Sequence, residues 1–324
     1  MLNTKCTAAL IAVLCILITP APLRAEADPE IGEVGSVPNE LRERFELNPF
    51  YQKYLACGPL PILGSANVSD FALREAAWIV HKVIGHRPDI LQAMADNGVR
   101  MVIMAYNEYT TDLPEQANMQ PKDYWDRRAR GLGGQIVSGA EENLLCYPND
   151  PYSTENILIH EFAHTIHGSG LRAVDPTFDR RLRKAYEAAQ AAGLWEGTYA
   201  GSNHSEYWAE AVQSWFDDNR QNDGIHNHVN TRAELIEYDP VLADLCKEIL
   251  GDQPWRYTRP MTRKPIDRNH LIGYDPAKAP SFQWRAGTQH DSACCGAWPW
   301  GPARGSEVRG RRSAPERFAR VTRR

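Results

Sequence analysis

The stretch NILIHEFAHTIHGSG, residues 156–170, places three histidines and one glutamate on two turns of a predicted helix. His160 and His164 are four residues apart, so at about 100° per residue their side chains lie about 40° apart on one face. The opposite face is apolar and carries Leu158, Phe162 and Ile166. The stretch therefore predicts a helix that packs through its apolar side and presents two imidazoles together.

The same residues match the pattern H-E-x-x-H, which is typical of a metal-binding helix. Two imidazoles at this spacing can hold one divalent ion, and Glu161 can reach a water on that ion and take its proton. Zinc lowers the pKa of such a water to about 7, so Glu161 is predicted to be a general base. The competing interpretation is a buried helix whose polar residues bind no metal. The opposed apolar stripe favours the metal site.

His167 is a less suitable ligand. It lies on the same side of the helix as His160 but about 10 Å further along the axis, beyond the reach of an ion held by His160 and His164. The pattern with a third histidine ligand, H-E-x-x-H-x-x-G-x-x-H, requires glycine where His167 stands and histidine where Gly170 stands. We interpret His167 as a residue beside the ligands, or as a helix-end histidine with a partner of its own.

A third ligand is expected on a second helix, because catalytic zinc sites use three protein ligands and keep one position open. Residues 199–216, YAGSNHSEYWAEAVQSWF, predict a helix over about residues 205–218. Glu206, Glu210 and Gln213 form a polar stripe on this otherwise aromatic helix. Such a stripe faces either water or a functional site.

H-E-x-x-H followed by a glutamate 42 residues later (206 − 164 = 42) is the gluzincin arrangement. Residues 199–211 also resemble a segment of the catalytic domain of anthrax lethal factor-type peptidases, Y-x-x-x-N-x-x-E-[aromatic]-[aromatic]-A-E-A. The resemblance covers about residues 155–217, and His167 departs from it. It implies a zinc metallopeptidase with a zincin-like fold.

The resemblance also implies roles for single residues. His160, His164 and Glu206 would bind Zn²⁺, and Tyr199 would steady the oxyanion or protonate the leaving amine. Glu210 would orient a ligand histidine.

Three alternatives stay open at this point. Glu206 could fold back on Asn203 as a helix-start device, Glu210 could be the ligand instead, and Tyr199 could serve packing alone.

The remaining patterns predict an α+β fold, with a small mixed sheet packed on the histidine helix and a helical C-terminal part. Helices are expected from Asp70 to Gly85, from Asp175-Pro176 to about Ala192, and from Asp239-Pro240 to Leu250-Gly251. Residues 98–105 predict a strand, and residues 131–147 predict a hairpin. A strand near residues 142–145 is expected to offer an edge along which an extended peptide could lie.

The N-terminus has the order of a secretory signal peptide, which we predict to span residues 1–27. Lys5 precedes an apolar run over residues 8–18, and small residues surround Ala25 and Ala27. The mature protein is therefore expected to be secreted, or periplasmic in a bacterium, with no membrane association after cleavage.

Five cysteines follow the predicted signal peptide: Cys57, Cys146, Cys246, Cys294 and Cys295. In an oxidising compartment we expect one or two disulfide bonds, with Cys57–Cys146 as one pairing. None of the cysteines has C-x-x-C spacing, which argues against a cysteine-based zinc site.

A catalytic domain is predicted over residues 28–285 and a basic, disordered tail over residues 286–324. From Gly296 onward the tail holds eight Arg against two Glu, a net charge of 8 − 2 = +6, whereas the whole chain carries −5. The acidic remainder has no basic stripe, so no nucleic-acid partner is expected.

Taken together, these patterns predict a secreted zinc metalloendopeptidase that acts on proteins or peptides. The alternatives are a catalytically inactive zincin-like binding module, or another metal-dependent hydrolase or oxygenase with a two-histidine, one-carboxylate site. A polyanion binder acting through the arginine-rich tail is a further one. The substrate is not predicted.

Overall fold

The structure is a computed structural model that describes residues 30–285. The predicted signal peptide, the predicted basic tail, and Cys294 and Cys295 lie outside the described residues. No helix within residues 30–285 has both the length and the apolar character needed to cross a membrane.

A five-stranded mixed sheet forms one layer of the fold. Its strands are β1 (Gly35–Ser36), β2 (Lys53–Cys57), β3 (Leu60–Gly64), β4 (Arg100–Met104) and β5 (Ile136–Ala140), and they lie side by side in this order. The first three strands pair antiparallel, whereas β3–β4 and β4–β5 pair parallel. Met101 of β4 lies between Ile62 and Val137. The predicted small mixed sheet and its strand over residues 98–105 are confirmed.

Helices surround the sheet and form the C-terminal part. They are α1 (Asn39–Phe45), α2 (Asp70–Ile84), α3 (Pro88–Asp96), α4 (Lys122–Arg128), α5 (Glu141–Leu144), α6 (Ile157–Thr165), α7 (Arg172–Val174), α8 (Phe178–Ala191), α9 (His204–Trp215), α10 (Arg232–Tyr238) and α11 (Pro240–Leu250). The α+β prediction is confirmed.

Helices α2, α8 and α11 begin and end close to the residues that the sequence predicts. Helix α2 begins at Asp70, with Ser69 in the position before it, and ends before Gly85. Helix α8 begins two residues after Pro176, because the Asp175 carboxylate first accepts the backbone N–H of Thr177 in a turn. Helix α11 begins at Pro240, and Asp239 accepts the N–H of Leu242 as its cap.

Helix α6 packs between the sheet and α9. Its apolar residues Leu158 and Phe162 are fully buried. Strand β5 approaches it closely at Gly139, where a Cβ atom would lie 3.2 Å from the Leu158 side chain. The sheet therefore supports the predicted apolar face of α6, and the opposite face is directed at α9.

The predicted hairpin over residues 131–147 is confirmed only as a single antiparallel bridge between Leu132 and Ser138, and it is wrong beyond that bridge. Strand β5 runs parallel to β4 and continues directly into α5, so residues 141–144 are a buried helix. The expected peptide-binding strand at residues 142–145 is therefore also wrong. The difference has a physical reason. Glu142 forms a buried ion pair with Arg130 (Nη2–Oε2 3.0 Å), so this acidic segment lies inside the protein and not at its surface. Strands β1 and β5 are the two edges of the sheet, and Leu132 bridges to Ser138 on the outer side of β5.

The described cysteines form no disulfide bond: Cys57, Cys146 and Cys246 are all free. Cys57 lies between the sheet and α2, with Sγ 3.6 Å from the carbonyl oxygen of Ala77. Cys146 Sγ lies 3.9 Å from the carbonyl oxygen of Asn143. The expected Cys57–Cys146 pairing is wrong: Cys57 contacts Ala77 of α2, whereas Cys146 contacts Asn143 of α5.

Residues 255–285 run back from the C-terminal helices across α2 and toward the sheet, and we call them the return segment. Arg263 and His270 of this segment both reach Glu75 of α2, which is fully buried. Further along, the N–H of Phe282 donates to the carbonyl of Pro148. The return segment thus ties the C-terminal part to the N-terminal layer.

Candidate metal centre

Helix α6 carries His160 and His164 on the face directed at α9. The side chain of Asn156 caps this helix by accepting the N–H of Ile159. A π-helical turn, Ile166–Leu171, follows it directly. The two imidazole rings lie 4.9 Å apart between centroids.

Helix α9 begins with a second side-chain cap. The carboxamide oxygen of Asn203 accepts the N–H groups of Ser205 (2.9 Å) and Glu206 (3.1 Å). Because Asn203 makes this cap by itself, the Glu206 side chain is not used in a helix-start device. Its carboxylate is directed at the histidines of α6.

Three ligand atoms converge between the two helices. Glu206 Oε2 lies 3.1 Å from His160 Nε2 and 3.1 Å from His164 Nε2, and the two imidazole nitrogens are 3.2 Å apart. Zinc bonds of about 2.0–2.2 Å put the ligand atoms of a tetrahedron about 3.3–3.5 Å apart. The observed triangle is close to this size and has the donor types that zinc prefers. His160, His164 and Glu206 therefore form a candidate metal site.

The other ring nitrogen of each histidine is also engaged. His160 Nδ1 lies 2.8 Å from Gln213 Oε1 and 3.4 Å from Glu210 Oε1, and His164 Nδ1 lies 2.9 Å from Ser205 Oγ. These contacts fix the orientation of the rings and leave Nε2 of each directed at the site. Glu210 thus lies beside the ligands, and Gln213 is nearer to His160 than Glu210 is.

The charges of the site compensate one another. Burial alone raises the pKa of Glu206, but the two neighbouring histidines outweigh it and lower that pKa. The pKa of His160 is raised in turn, although burial opposes this, by its contacts with Glu206 and Glu210. The carboxylate is therefore held ionised, which is the state that binds a metal.

Glu161 is fully buried beside the ligands. Neither carboxylate oxygen has a hydrogen-bond partner of good geometry among the described residues, although the backbone N–H of Gly133 lies near enough to lower the pKa of Glu161. A buried carboxylate without a partner is unusual and points to a functional role. Burial raises its pKa, and the nearby His160 and His164 oppose that rise.

A glycine-rich loop, residues 131–134, covers Glu161. A Cβ atom at Gly131 would lie 3.1 Å from Glu161 Cγ, and one at Gly133 would lie 2.7 Å from His164 Cβ. The loop can approach α6 this closely only because these positions have no side chain.

A cleft of about 470 Å³ opens beside the three ligand atoms. Its walls come from the loop, from α6 and from the start of α9: Leu132, Gly133, Gly134, Glu161, His164, Asn203, His204, Ser205 and Glu206. The candidate site is thus accessible on the side where Glu161 lies.

Tyr199 lies on the other side of His160. Its ring stacks on the imidazole at a centroid distance of 5.9 Å and an interplanar angle of 23°. Burial and the neighbouring carboxylates, Glu206 and Glu161 among them, raise the pKa of its hydroxyl, so Tyr199 is a protonated donor at neutral pH. The structure therefore places Tyr199 beside the ligands.

His167 lies away from this group. It belongs to the π-helical turn, and its Nε2 lies 3.1 Å from Asp179 Oδ1 of α8. Its ring also contacts Phe178. Of the two roles considered for His167, this position matches the helix-end histidine with its own partner.

Three polar residues near the site were not assigned a role from the sequence. Gln213 belongs to the polar stripe that the sequence predicts on α9, and Ser205 directly precedes the candidate ligand Glu206. His226, which contacts Glu210, comes from an irregular loop where no periodic pattern could have indicated it.

The fold and the site together define an α+β protein with a buried candidate metal centre of two imidazoles and one carboxylate. Comparison with known proteins adds no assignment: no family profile matches the chain, and no curated protein is significantly similar to it.

Proposed function

We propose that the protein is a secreted zinc metallopeptidase of the gluzincin arrangement that cleaves proteins or peptides. The observation that carries the proposal is the convergence of His160, His164 and Glu206 within 3.1–3.2 Å of one another, beside the buried, unpartnered Glu161. This combination supplies three ligands and a base on one side of an open cleft. The resemblance to lethal factor-type peptidases supports the same function.

Zinc, when bound, acts as a Lewis acid toward a carbonyl group and lowers the pKa of a water molecule to about 7. Glu161 accepts a proton from the attacking water and passes it to the leaving amine. Its position suits this task, since the carboxylate lies beside the candidate ligands and under the glycine-rich loop, and no side chain competes for its oxygens.

Tyr199 supplies the second chemical group. Its hydroxyl remains protonated, because burial and nearby carboxylates raise its pKa. It can therefore donate a hydrogen bond to the oxygen that becomes negative when the peptide bond is attacked. Stacking on His160 keeps the phenol ring beside the ligand group.

The ligand set alone also suits a non-haem iron oxygenase, which uses two histidines and one carboxylate. Glu161 favours a hydrolase, because an unpartnered carboxylate beside the ligands has a task in proton transfer. Elemental analysis of the purified protein distinguishes the two: zinc at about one equivalent supports the proposal, and iron overturns it.

The mechanism predicts that Glu161→Gln keeps the metal and abolishes turnover. The amide is isosteric but cannot accept the proton, so we expect kcat to fall about 10²–10⁴-fold. Cleavage of a peptide library by the zinc-loaded protein is the measurement, together with the zinc content of the variant. The same library gives the sequence preference of the cleavage site.

Glu187→Gln, the same substitution at an exposed position of α8, is the matched control and should cleave as wild type does. If Glu161→Gln retains wild-type turnover, Glu161 is not the base. If the zinc-loaded wild type cleaves no library peptide, the proposed peptidase activity is wrong, and an inactive zincin-like binding module becomes the better assignment.

A further inference from the structure

The loop of residues 216–231, between α9 and α10, folds back toward the candidate metal centre and places His226 beside Glu210. His226 Nε2 lies 3.5 Å from Glu210 Oε2, and His226 Nδ1 lies 2.8 Å from Asp223 Oδ1. The ring is buried, with 6% of the His226 side chain exposed. One imidazole therefore stands between two carboxylates.

The position of the ring is fixed by its own loop. Asp223 Oδ1 accepts the backbone N–H groups of Ile225 (2.9 Å) and His226 (3.0 Å) in addition to contacting His226 Nδ1. This turn holds the imidazole in one orientation, because the same oxygen binds both the backbone and the ring.

The two contacts determine the protonation state of the ring. A neutral imidazole has one N–H donor, so it can satisfy only one of two carboxylates. A ring that faces Asp223 with Nδ1 and Glu210 with Nε2 carries protons on both nitrogens. Although burial opposes the positive charge, the contacts with Glu210 and Asp223 together outweigh it and raise the pKa of His226.

Glu210 transmits this contact to the candidate metal centre. Its Oε1 lies 3.4 Å from His160 Nδ1, and its Oε2 accepts the side-chain N–H of Asn219 at 3.1 Å. Gln213 Oε1 lies 2.8 Å from the same nitrogen, so two acceptor oxygens face His160 Nδ1. Two acceptors at this position favour the His160 tautomer with a proton on Nδ1, which leaves Nε2 free to bind metal.

We infer that His226 is a positioning residue, which acts through Glu210 to keep His160 in its metal-binding tautomer and orientation. The inference rests on the proposed zinc site but requires no peptidase activity. The residues that orient the candidate ligands would then include His226, in the loop of residues 216–231, as well as those of α9.

The same loop also supports Tyr199. The N–H of Tyr199 donates to the carbonyl of Ile225 at 2.7 Å, and the rings of Tyr199 and His226 lie 6.3 Å apart. Residues 223–226 thus contact both Tyr199 and Glu210, the two side chains that lie beside His160. Disturbing this turn should affect metal binding and Tyr199 together.

The test is the zinc affinity of His226→Ala, measured by competition with a chromophoric chelator. Loss of one orienting partner is expected to weaken zinc binding about tenfold. His226→Gln retains an N–H donor toward Glu210 and should recover part of that loss. The melting temperature of the metal-free protein reports whether either variant is merely less stable.

Two further variants sharpen the result. His228→Ala is the matched control: this histidine lies in the same loop, is exposed and contacts Tyr238, so zinc affinity should not change. Asp223→Asn keeps an acceptor oxygen for the turn but removes the charge. Like His226→Ala, it should weaken zinc binding, but it leaves the buried imidazole in place. It therefore tests the inference even if His226→Ala fails to fold.

A double-mutant cycle tests the route through Glu210. In a Glu210→Gln background, His226→Ala should change the zinc dissociation constant by less than about twofold. Equal losses in both backgrounds, or a His226→Ala variant that binds zinc as tightly as wild type, would overturn the inference. Tight zinc binding without peptide cleavage in the wild type would instead contradict only the proposed function.

Discussion

At the scale of single residues, the candidate centre depends on both nitrogens of each histidine. Nε2 of His160 and of His164 faces Glu206, whereas Nδ1 contacts Gln213 in one case and Ser205 in the other. The H-E-x-x-H spacing predicts that the two imidazoles lie together on one face of a helix, whereas the contact with Glu206 is implied only by the resemblance. The spacing does not predict the Nδ1 contacts, which depend on how far apart and at what angle α6 and α9 pack.

Glu210 illustrates this limit. From the sequence, Glu210 and Gln213 lie on the same stripe of α9, and the resemblance favours Glu210 as the partner of a ligand histidine. In the structure Gln213 is the nearer partner of His160, and Glu210 is shared among His160, His226 and Asn219. Side chains that differ by less than 1 Å in distance cannot be ranked by spacing alone.

His167 provides a prediction about acid stability. Burial lowers its pKa to about 4, and Asp179 only partly opposes that shift. The folded protein therefore keeps His167 neutral between about pH 6.5 and pH 4, whereas the unfolded chain takes up a proton there. The free energy of unfolding should fall through this window by up to about 3 kcal/mol on account of this residue.

His167→Gln removes the titration and keeps a donor for Asp179. Urea unfolding of the metal-free protein at about pH 7 and about pH 4.5 measures the difference, and the variant should lose about 2 kcal/mol less than wild type between the two. Parallel losses in both proteins would show that His167 is not the titrating group.

At the scale of secondary-structure elements, the glycine-rich loop and α6 form one closely packed unit. A Cβ atom at Gly133 would lie 2.7 Å from His164 Cβ and 2.8 Å from the carbonyl oxygen of Glu161. Neither atom is the end of a flexible side chain, so one backbone must shift. We expect Gly133→Ala to lower the free energy of unfolding by about 1–3 kcal/mol, as measured by thermal or urea denaturation.

Gly168→Ala is the control for this prediction, because a Cβ atom at Gly168, in the π-helical turn, would meet no other atom within 4 Å. It should leave the stability close to that of wild type. If Gly133→Ala is equally well tolerated, the close approach of the loop to α6 is wrong.

The elements differ in how well their sequences predict them. Helices α2, α8, α9 and α11 have strong local signals, which are apolar periodicity, a capping residue, or proline at the first turn. Residues 131–147 lack such signals. Their glycines suggest turns, but their actual role is close packing against α6, and the strand-to-helix change at Glu141 depends on buried partners of its acidic residues.

At the scale of the whole molecule, a buried ion cluster joins the return segment to helix α2. The carboxylate of Glu75 in α2 accepts hydrogen bonds from both Nη atoms of Arg263, at 2.9 and 2.6 Å. It also lies 2.7 Å from Nε2 of His270. His270 in turn stacks on Trp78 of the same helix at 5.0 Å. Distances of 188 and 195 residues along the chain separate Glu75 from these partners, so no local pattern could predict the contact.

Glu75→Gln should lower the free energy of unfolding by about 3–5 kcal/mol, since it leaves the Arg263 charge buried without its carboxylate. Burial raises the pKa of Glu75, but Arg263 and His270 outweigh it and lower the pKa overall. The stabilisation is therefore present above the usual carboxyl pKa and is lost as the pH falls through the lowered value. Urea unfolding at neutral and acidic pH measures both effects.

Glu248→Gln is the matched control for Glu75→Gln. Glu248 also pairs with an arginine, Arg181, but about half of its side chain is exposed. The exposed pair should contribute less than about 1 kcal/mol. Equal effects of the two substitutions would show that the buried cluster does not hold the return segment in place.

The ligand atoms come from helices α6 and α9, which are joined by a long connection that includes α8. An ion held by all three ligand atoms would close that connection into a ring through coordination bonds. By mass action, the native state would then gain about 2.7 kcal/mol whenever the free ion exceeds its dissociation constant a hundredfold. The heat resistance and proteolytic lifetime of the protein would follow the ion supply of its surroundings, and a chelator would shorten both before any substrate was present.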